Sequence, residues 1–125
     1  MEVRAVDFVV YDVSDMEKAI TFYRDTLGLT LDFYLEGNWA EFSIENVTLA
    51  LCGPKGGGTP PQRGYQGGAM VALAVRDMNA AVEELRSKGV HVEDPFDGSV
   101  CYVARMEDPD GNRLWLHQRK DGTAG

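Results

Sequence analysis

VVYDVSDMEKAITFYRDTLG, residues 9–28, sets the fold of this chain, because a second copy of its pattern begins at Val71. Displaced by 62 positions, Asp15-Met16-Glu17-Lys18-Ala19-Ile20 falls on Asp77-Met78-Asn79-Ala80-Ala81-Val82, with Val9 on Val71, Val13 on Val75 and Arg24 on Arg86. Each copy runs from an apolar strand through a polar break into an amphipathic helix closed by a glycine, so the chain reads as two similar halves. A repeat of about fifty residues cannot bury its own apolar face, and the halves are expected to share a core.

In the first copy, Val6 to Val13 is an expected strand, apolar on both faces. The spacing Ser14-x-x-Glu17 fits a capping box, while the repeat makes Asp15 the equivalent of Asp77 and a competing cap. Met16, Ala19, Ile20, Tyr23 and Leu27 form the apolar stripe of the helix, and Gly28 supplies its left-handed stop. Three strands are expected next: Leu29 to Leu35, Trp39 to Glu45 after a Gly37-Asn38 turn, and Val47 to Cys52 after Asn46. The second copy repeats the order. Ala69 to Val75 is a strand, Asp77 to Lys88 a helix stopped by Gly89, and Val90 to Glu93 a short strand. Ser99 to Glu107 and Arg113 to Gln118 follow, joined by the turn formers Asp108-Pro109-Asp110-Gly111-Asn112, and the tail from Lys120 is expected to fray. The order is βαβββ twice: a first module at about residues 4–52 and a second at about 69–119 within one domain of 125 residues.

Between the modules lies GPKGGGTPPQRGYQGG, residues 53–68, whose glycines and prolines suit neither helix nor strand. It reads as a linker, flexible at Gly56 to Gly58 and stiffer at Pro60-Pro61. A phosphate-cradling loop is excluded by context, since Lys55 precedes the glycines and no GxxxxGK[ST] occurs.

With 125 residues, 44% of them hydrophobic, one compact domain is expected and two independent ones are not. No apolar run approaches the roughly 18 residues of a membrane span, and a strand rather than a signal sequence follows Glu2 and Arg4. A cytoplasmic protein is expected. The net charge of -8 argues against nucleic acid and anionic membranes as partners. Cys52 and Cys101 lie in apolar strand patterns without a CxxC spacing and read as small buried thiols. Ser43, Ser87 and Ser99 lack a G-x-S-x-G elbow, so no nucleophile stands out and no catalytic residue is assigned.

FVVYDVSDMEKAITFYRDTLGL in the first half, LAVRDMNAAVEELRSKGV in the second and the hairpin DPDGNRLWLHQ resemble the vicinal oxygen chelate superfamily of glyoxalases, bleomycin-resistance proteins and extradiol dioxygenases. The resemblance covers nearly the whole chain apart from the linker and tail. It implies an α+β fold of two βαβββ modules forming a cupped mixed sheet, with helices on the convex side and a ligand cavity in the concave one. A second subunit commonly completes that cavity, so a homodimer is expected. It also implies, for the metal-dependent members, one divalent-ion ligand on the first and one on the last strand of each module. Counted from Asp15, Asp77 and the turns at Asn46 and Asn112, those positions are Phe8, Met70, Leu49 and Trp115. None offers imidazole or carboxylate, so no metal and no other cofactor is expected at the usual site. Of the two histidines, His91 reads as solvated, leaving His117 with Glu41 and Asp12 as the parts of any relocated site.

Alternation from Phe8 and Trp115 assigns the rest of the concave lining. Val10, Asp12, Leu51, Ala72, Ala74, Arg113 and His117 follow from it, and an apolar set of Ala40, Phe42 and Ile44 on the helix side turns Trp39, Glu41 and Ser43 inward. Cys101, Val103 and Arg105 turn inward in the second module. The expected ligand-binding set is Phe8, Trp39, Glu41, Leu49, Met70, Arg105, Trp115 and His117: an aromatic and aliphatic bed with three polar handles. The expected function is metal-free binding of an aromatic or cationic small molecule, as in bleomycin resistance. The alternatives are a lyase, isomerase or dioxygenase of the same superfamily, with relocated metal ligands or with Glu41 or His117 as general base, and an inert module with a filled cavity.

Overall fold

Asp15 and Asp77 start the two helices in the same way. Each has extended backbone, and each carboxylate accepts from the amide three residues on, Lys18 N at 3.0 Å and Ala80 N at 3.0 Å. That settles the competition between Ser14 and Asp15 in favour of the aspartate. The computed structural model describes residues 1–2, 4–62 and 69–124. The chain divides into two units, Met1–Gln62 and Arg63–Gly125.

In the first unit β1 (Phe8–Asp12) leads to α1 (Met16–Ile20), then to β2 (Thr30–Leu35), β3 (Trp39–Ile44) and β4 (Val47–Cys52). In the second, β5 (Val71–Ala74) leads to α2 (Met78–Ser87), β6 (Phe96–Asp97), β7 (Cys101–Glu107) and β8 (Arg113–Arg119). The sheets are ordered β1-β4-β3-β2 and β5-β8-β7-β6, with the first strand parallel to the last in each and every other pair antiparallel. The repeat extends to single bonds: Val13 N donates to Cys52 O, and its counterpart Val75 N donates to His117 O. This is the α+β fold of two βαβββ modules. Among the described residues no helix is long and apolar enough to cross a membrane.

One face of each sheet is covered by its helix. Val9, Leu49 and Phe42 form one cross-strand row, and Tyr11, Leu51 and Ala40 the next. Leu49, Phe42, Leu51 and Ala40 are at most 1% exposed, beneath Met16, Ala19, Ile20 and Tyr23. In the second unit Val71, Leu114 and Met106 form one such row and Leu73, Leu116 and Ala104 another, under Met78, Val82 and Leu85. Gln118 ties sheet to helix there, its side-chain oxygen accepting from Met78 N at 2.7 Å.

Four expectations are corrected. The first helix does not keep α geometry to Gly28: after Ile20 it widens into a π-helix over Thr21–Thr26, with Leu27 N bonded to Phe22 O. The wider turn brings Phe22 into the core beside Tyr23, ring centroids 5.2 Å apart, while Leu27 stays half-buried. Val90 to Glu93 is not a strand. Val92 is buried and its carbonyl accepts from Arg86, Glu93 N makes a lone backbone bond to Arg105 O, and continuous strand pairing with β7 begins only at Phe96. Nor does the tail fray at once, since Lys120 N bonds to Val100 O and its ammonium lies 2.5 Å from Asp97. That carboxylate raises the Lys120 pKa.

The fourth correction concerns the Gly-rich stretch, which begins as built structure. Pro54–Gly56 forms a 3-10 turn laid against the β2–β3 turn, with Gly53 N bonded to Asn38 O and Lys55 N to Gly37 O. Side chains would not fit there: a Cβ on Gly53 would stand 2.5 Å from Gly37 O, and one on Gly56 2.6 Å from Asn38 O. Residues 63–68 of the expected linker lie outside the described residues.

Candidate functional site

The faces turned away from the helices carry the side chains of interest. In the first sheet the rows on that face are Phe8, Thr48 and Ser43; Val10, Ala50 and Glu41; and Asp12, Cys52 and Trp39. β2 adds Thr30, Phe33 and Leu35, and the irregular pairing between Leu31 and Phe33 leaves Asp32 within hydrogen-bond reach of the Ser43 hydroxyl. Phe8 and Trp39 belong to outer rows, yet their rings meet edge to face with centroids 5.7 Å apart. Ala50 occupies the row between, and its methyl leaves them the room, which accounts for an alanine on an open face being fully covered. The Trp39 indole N–H donates to Glu41 Oε1 at 2.9 Å, so the polar edge of this half-buried ring is satisfied and its orientation fixed.

Leu49 is misplaced by the count from Asn46. It pairs with Val9 and Phe42 on the helix side and is 1% exposed, whereas Ala50 holds the open-face position. Leu51 moves to the helix side with it. The signal was present in the sequence: a two-residue turn makes Val47 the partner of Ile44, and Ile44 already belonged to the helix-side set. Cys52 and Cys101 are half-buried free thiols on open faces, not buried ones.

On the second sheet Ala72, Trp115 and Arg105 form the central row of the open face, and Ala74, His117, Val103 and Phe96 the next. Glu107 with Arg113 lies at one end and Cys101 with Arg119 at the other. The Arg105 guanidinium carbon stands 5.5 Å from the centre of the Trp115 ring, a cation held over an indole. Trp115 and His117 are half-buried and Arg105 is exposed. Met70 precedes β5 in the half-buried class, and His91 is exposed. The strands thus bring Phe8, Trp39 and Glu41 onto one open face, and Arg105, Trp115 and His117 onto another.

The donor set for a divalent ion is missing from these positions. Phe8, Ala50 and Trp115 carry no lone pair suited to a metal, and the Met70 thioether suits only soft ions. Among the described residues no three His, Cys, Asp or Glu side chains are grouped so as to hold an ion. The residues present do not fit the metal that other members of such a fold use.

The sequence profile of the Glyoxalase/Bleomycin resistance protein/Dioxygenase superfamily matches residues 5–116. The chain belongs to that superfamily. Two relatives by sequence are probable lactoylglutathione lyases: one from Vibrio parahaemolyticus, 26% identical over 90% of this chain and 89% of its own, and one from Synechocystis sp., 29% identical over 85% and 88%. Among solved structures the chain is similar to TnmS3, an antibiotic binding protein from Streptomyces sp. CB03234, with a TM-score of 0.75 and 29% identity over 96% of this chain and 99% of that one. Superfamily membership therefore admits both catalysis and ligand binding, and the choice between them rests on the site.

Proposed function

We propose that this superfamily member binds an aromatic organic small molecule without a metal, in the manner of a sequestering or resistance protein. The observation that carries the reading is the replacement of metal-ligand chemistry by aromatic surface. Phe8 packed on Trp39, and Trp115 under Arg105, stand on the open faces where the metal-dependent members of the superfamily place ligands. Ring faces with a few polar handles, Glu41, Arg105 and His117, are the ordinary make-up of an organic-ligand site. The likeness to an antibiotic binding protein over nearly the full length of both chains supports this reading. The lyase named for several relatives is the second reading, favoured by their sequence identity; it requires ligands that these positions do not supply.

A homodimer is part of the proposal. Among the described residues β2 has β3 as its one strand partner, and it exposes Phe33 and Leu35 to about half their area, 50% and 51%, an edge that calls for cover. Sedimentation at micromolar concentration is expected to give twice the chain mass, and a monomer at tens of micromolar would remove the dimer from the proposal.

The binding test is intrinsic fluorescence during titration with bleomycin-like glycopeptides, cationic aromatic antibiotics and aromatic acids, in the wild type and in Trp115→Ala. Stacking on an indole is worth about 0.5–1.5 kcal/mol beyond area burial. Saturable quenching is therefore expected, with affinity about tenfold lower in the variant, equivalent to about 1.4 kcal/mol. Elemental analysis of the purified protein is expected to find no stoichiometric divalent ion. One tightly held zinc, nickel, iron or manganese per chain would overturn the proposal in favour of the lyase reading.

A further inference from the structure

We infer that the ligand of the second sheet's open face is a planar aromatic acid, its anionic group held by Arg105 and its ring lying along Trp115. The inference rests on the binding reading above and gives it a sign of charge.

The chain carries a net charge of -8, yet three of its 12 lysines and arginines, Arg105, Arg113 and Arg119, share this one face with His117. Within the described strands Glu107 is the single acid on that face, and its register partner is Arg113, at the end of the sheet away from His117; Glu93, outside the strands, meets Arg105 through its backbone N–H, which donates to the Arg105 carbonyl. The first sheet is the opposite case: its strands hold Asp12, Asp32 and Glu41 and no lysine or arginine. Positive charge is therefore concentrated around Trp115 against the trend of the composition.

Arg105 is the central member. It pairs directly with Trp115 and lies over the indole, and among the described residues its side chain has no acidic partner. With its guanidinium carbon 5.5 Å from the ring centre, Arg105 can still offer its N–H fork to a carboxylate, which a guanidinium binds through two parallel bonds. A cation beside the indole disfavours a second cation there and favours an anionic group. His117, one row along from Trp115 on the same strand, is within reach of a ligand bound there and can donate a ring N–H to its anionic group. On the other flank Ala72 and Ala74 are small and exposed, so the floor beside Trp115 and His117 is flat and open to a ring.

The probes are three isosteres that differ in charge: naphthoate, naphthamide and naphthylmethylammonium, titrated by tryptophan fluorescence into the wild type, Arg105→Gln and Arg119→Gln. Charge-assisted bonds exceed neutral ones by enough to make naphthoate bind about tenfold or more tighter than naphthamide, with the ammonium weakest. Arg105→Gln is expected to abolish that preference, weakening naphthoate far more than naphthamide, and Arg119→Gln, which removes the same charge at the far end of the face, to preserve it. Equal or tighter binding of the amide or the ammonium by the wild type would overturn the assignment of charge while leaving an aromatic site in place. An undiminished preference in Arg105→Gln would overturn the role of Arg105. Absence of saturable quenching by all three would overturn the inference together with the binding reading beneath it.

Discussion

Phe42→Ala is expected to lower the unfolding free energy by about 3 to 5 kcal/mol, the range for removing a fully buried phenylalanine whose surroundings relax only in part. Phe42 is 0% exposed on the helix-side face of β3, its ring 5.7 Å from that of Tyr23 and its strand neighbour on that face Leu49. Leu49→Ala should cost about 2 to 5 kcal/mol for the same reason. Phe33→Ala supplies the contrast: the same residue type, on the opposite face and 50% exposed in the single chain, should cost no more than about 1 kcal/mol when unfolding is measured at concentrations too low for a dimer. Urea titrations followed by far-UV circular dichroism report all three. Similar losses for Phe42 and Phe33, or a nearly neutral Leu49→Ala, would mean that the sheet faces are exchanged, because a slip of one residue turns every side chain over.

That alternation explains how much of the molecule could be read from the sequence. The repeat located both helices, because Asp15 and Asp77 cap them identically and Gly28 and Gly89 end them with φ of 77° and 84°. The helix-facing set of β3, Ala40, Phe42 and Ile44, follows from apolar periodicity, which is a local property, whereas the strand order depends on the distant pairing of β1 with β4. What escaped depends on one-residue precision or on tertiary contact. Leu49 and Ala50 are both apolar, so composition alone does not tell the core residue from the open-face one; only the ladder through Ile44 and Val47 fixes the parity. The π turn at Thr21–Thr26 left no mark in a helical-stripe pattern, and Phe22 was therefore missed as core. Glycines 53 and 56 looked like a flexible connector because their reason, the Gly37 and Asn38 backbone pressed against them, lies 15 or more residues away in sequence. At the candidate site, alternation turned Trp39 and Glu41 to one face and Arg105 and Trp115 to one face, but not the bond from the indole to Glu41 nor the arginine over the ring. Those contacts separate the two polar handles: Glu41 has a partner in the Trp39 indole, whereas Arg105 lies over Trp115.

Asp108→Ala is expected to cost about 2 to 4 kcal/mol, although Asp108 lies in a turn, where substitutions are ordinarily mild. Asp108 is 3% exposed and its carboxylate organises the whole β7–β8 connection. Oδ1 accepts from Asp110 N at 2.9 Å and from Asn112 N at 2.8 Å, and Oδ2 accepts from Asn112 Nδ2 at 2.8 Å. Main-chain bonds from Asp108 N to Asn112 O and from Gly111 N to Asp108 O close the loop, with Gly111 at a φ of 87° that suits glycine. Alanine removes the acceptors and keeps the donors. Asn112 is 5% exposed, so its amide and side-chain N–H groups would lose partners where water has little access, at about 1 to 3 kcal/mol each. The half-buried Asp110 amide can turn to solvent and adds less. Asp108→Asn separates these contributions: its carbonyl oxygen still accepts from the two backbone amides while its own amide opposes Asn112 Nδ2, so about half the loss should return. Denaturant midpoints of the two variants give the comparison. A cost below about 1 kcal/mol for Asp108→Ala would mean that water replaces the carboxylate without penalty and that the turn is held by its main chain alone.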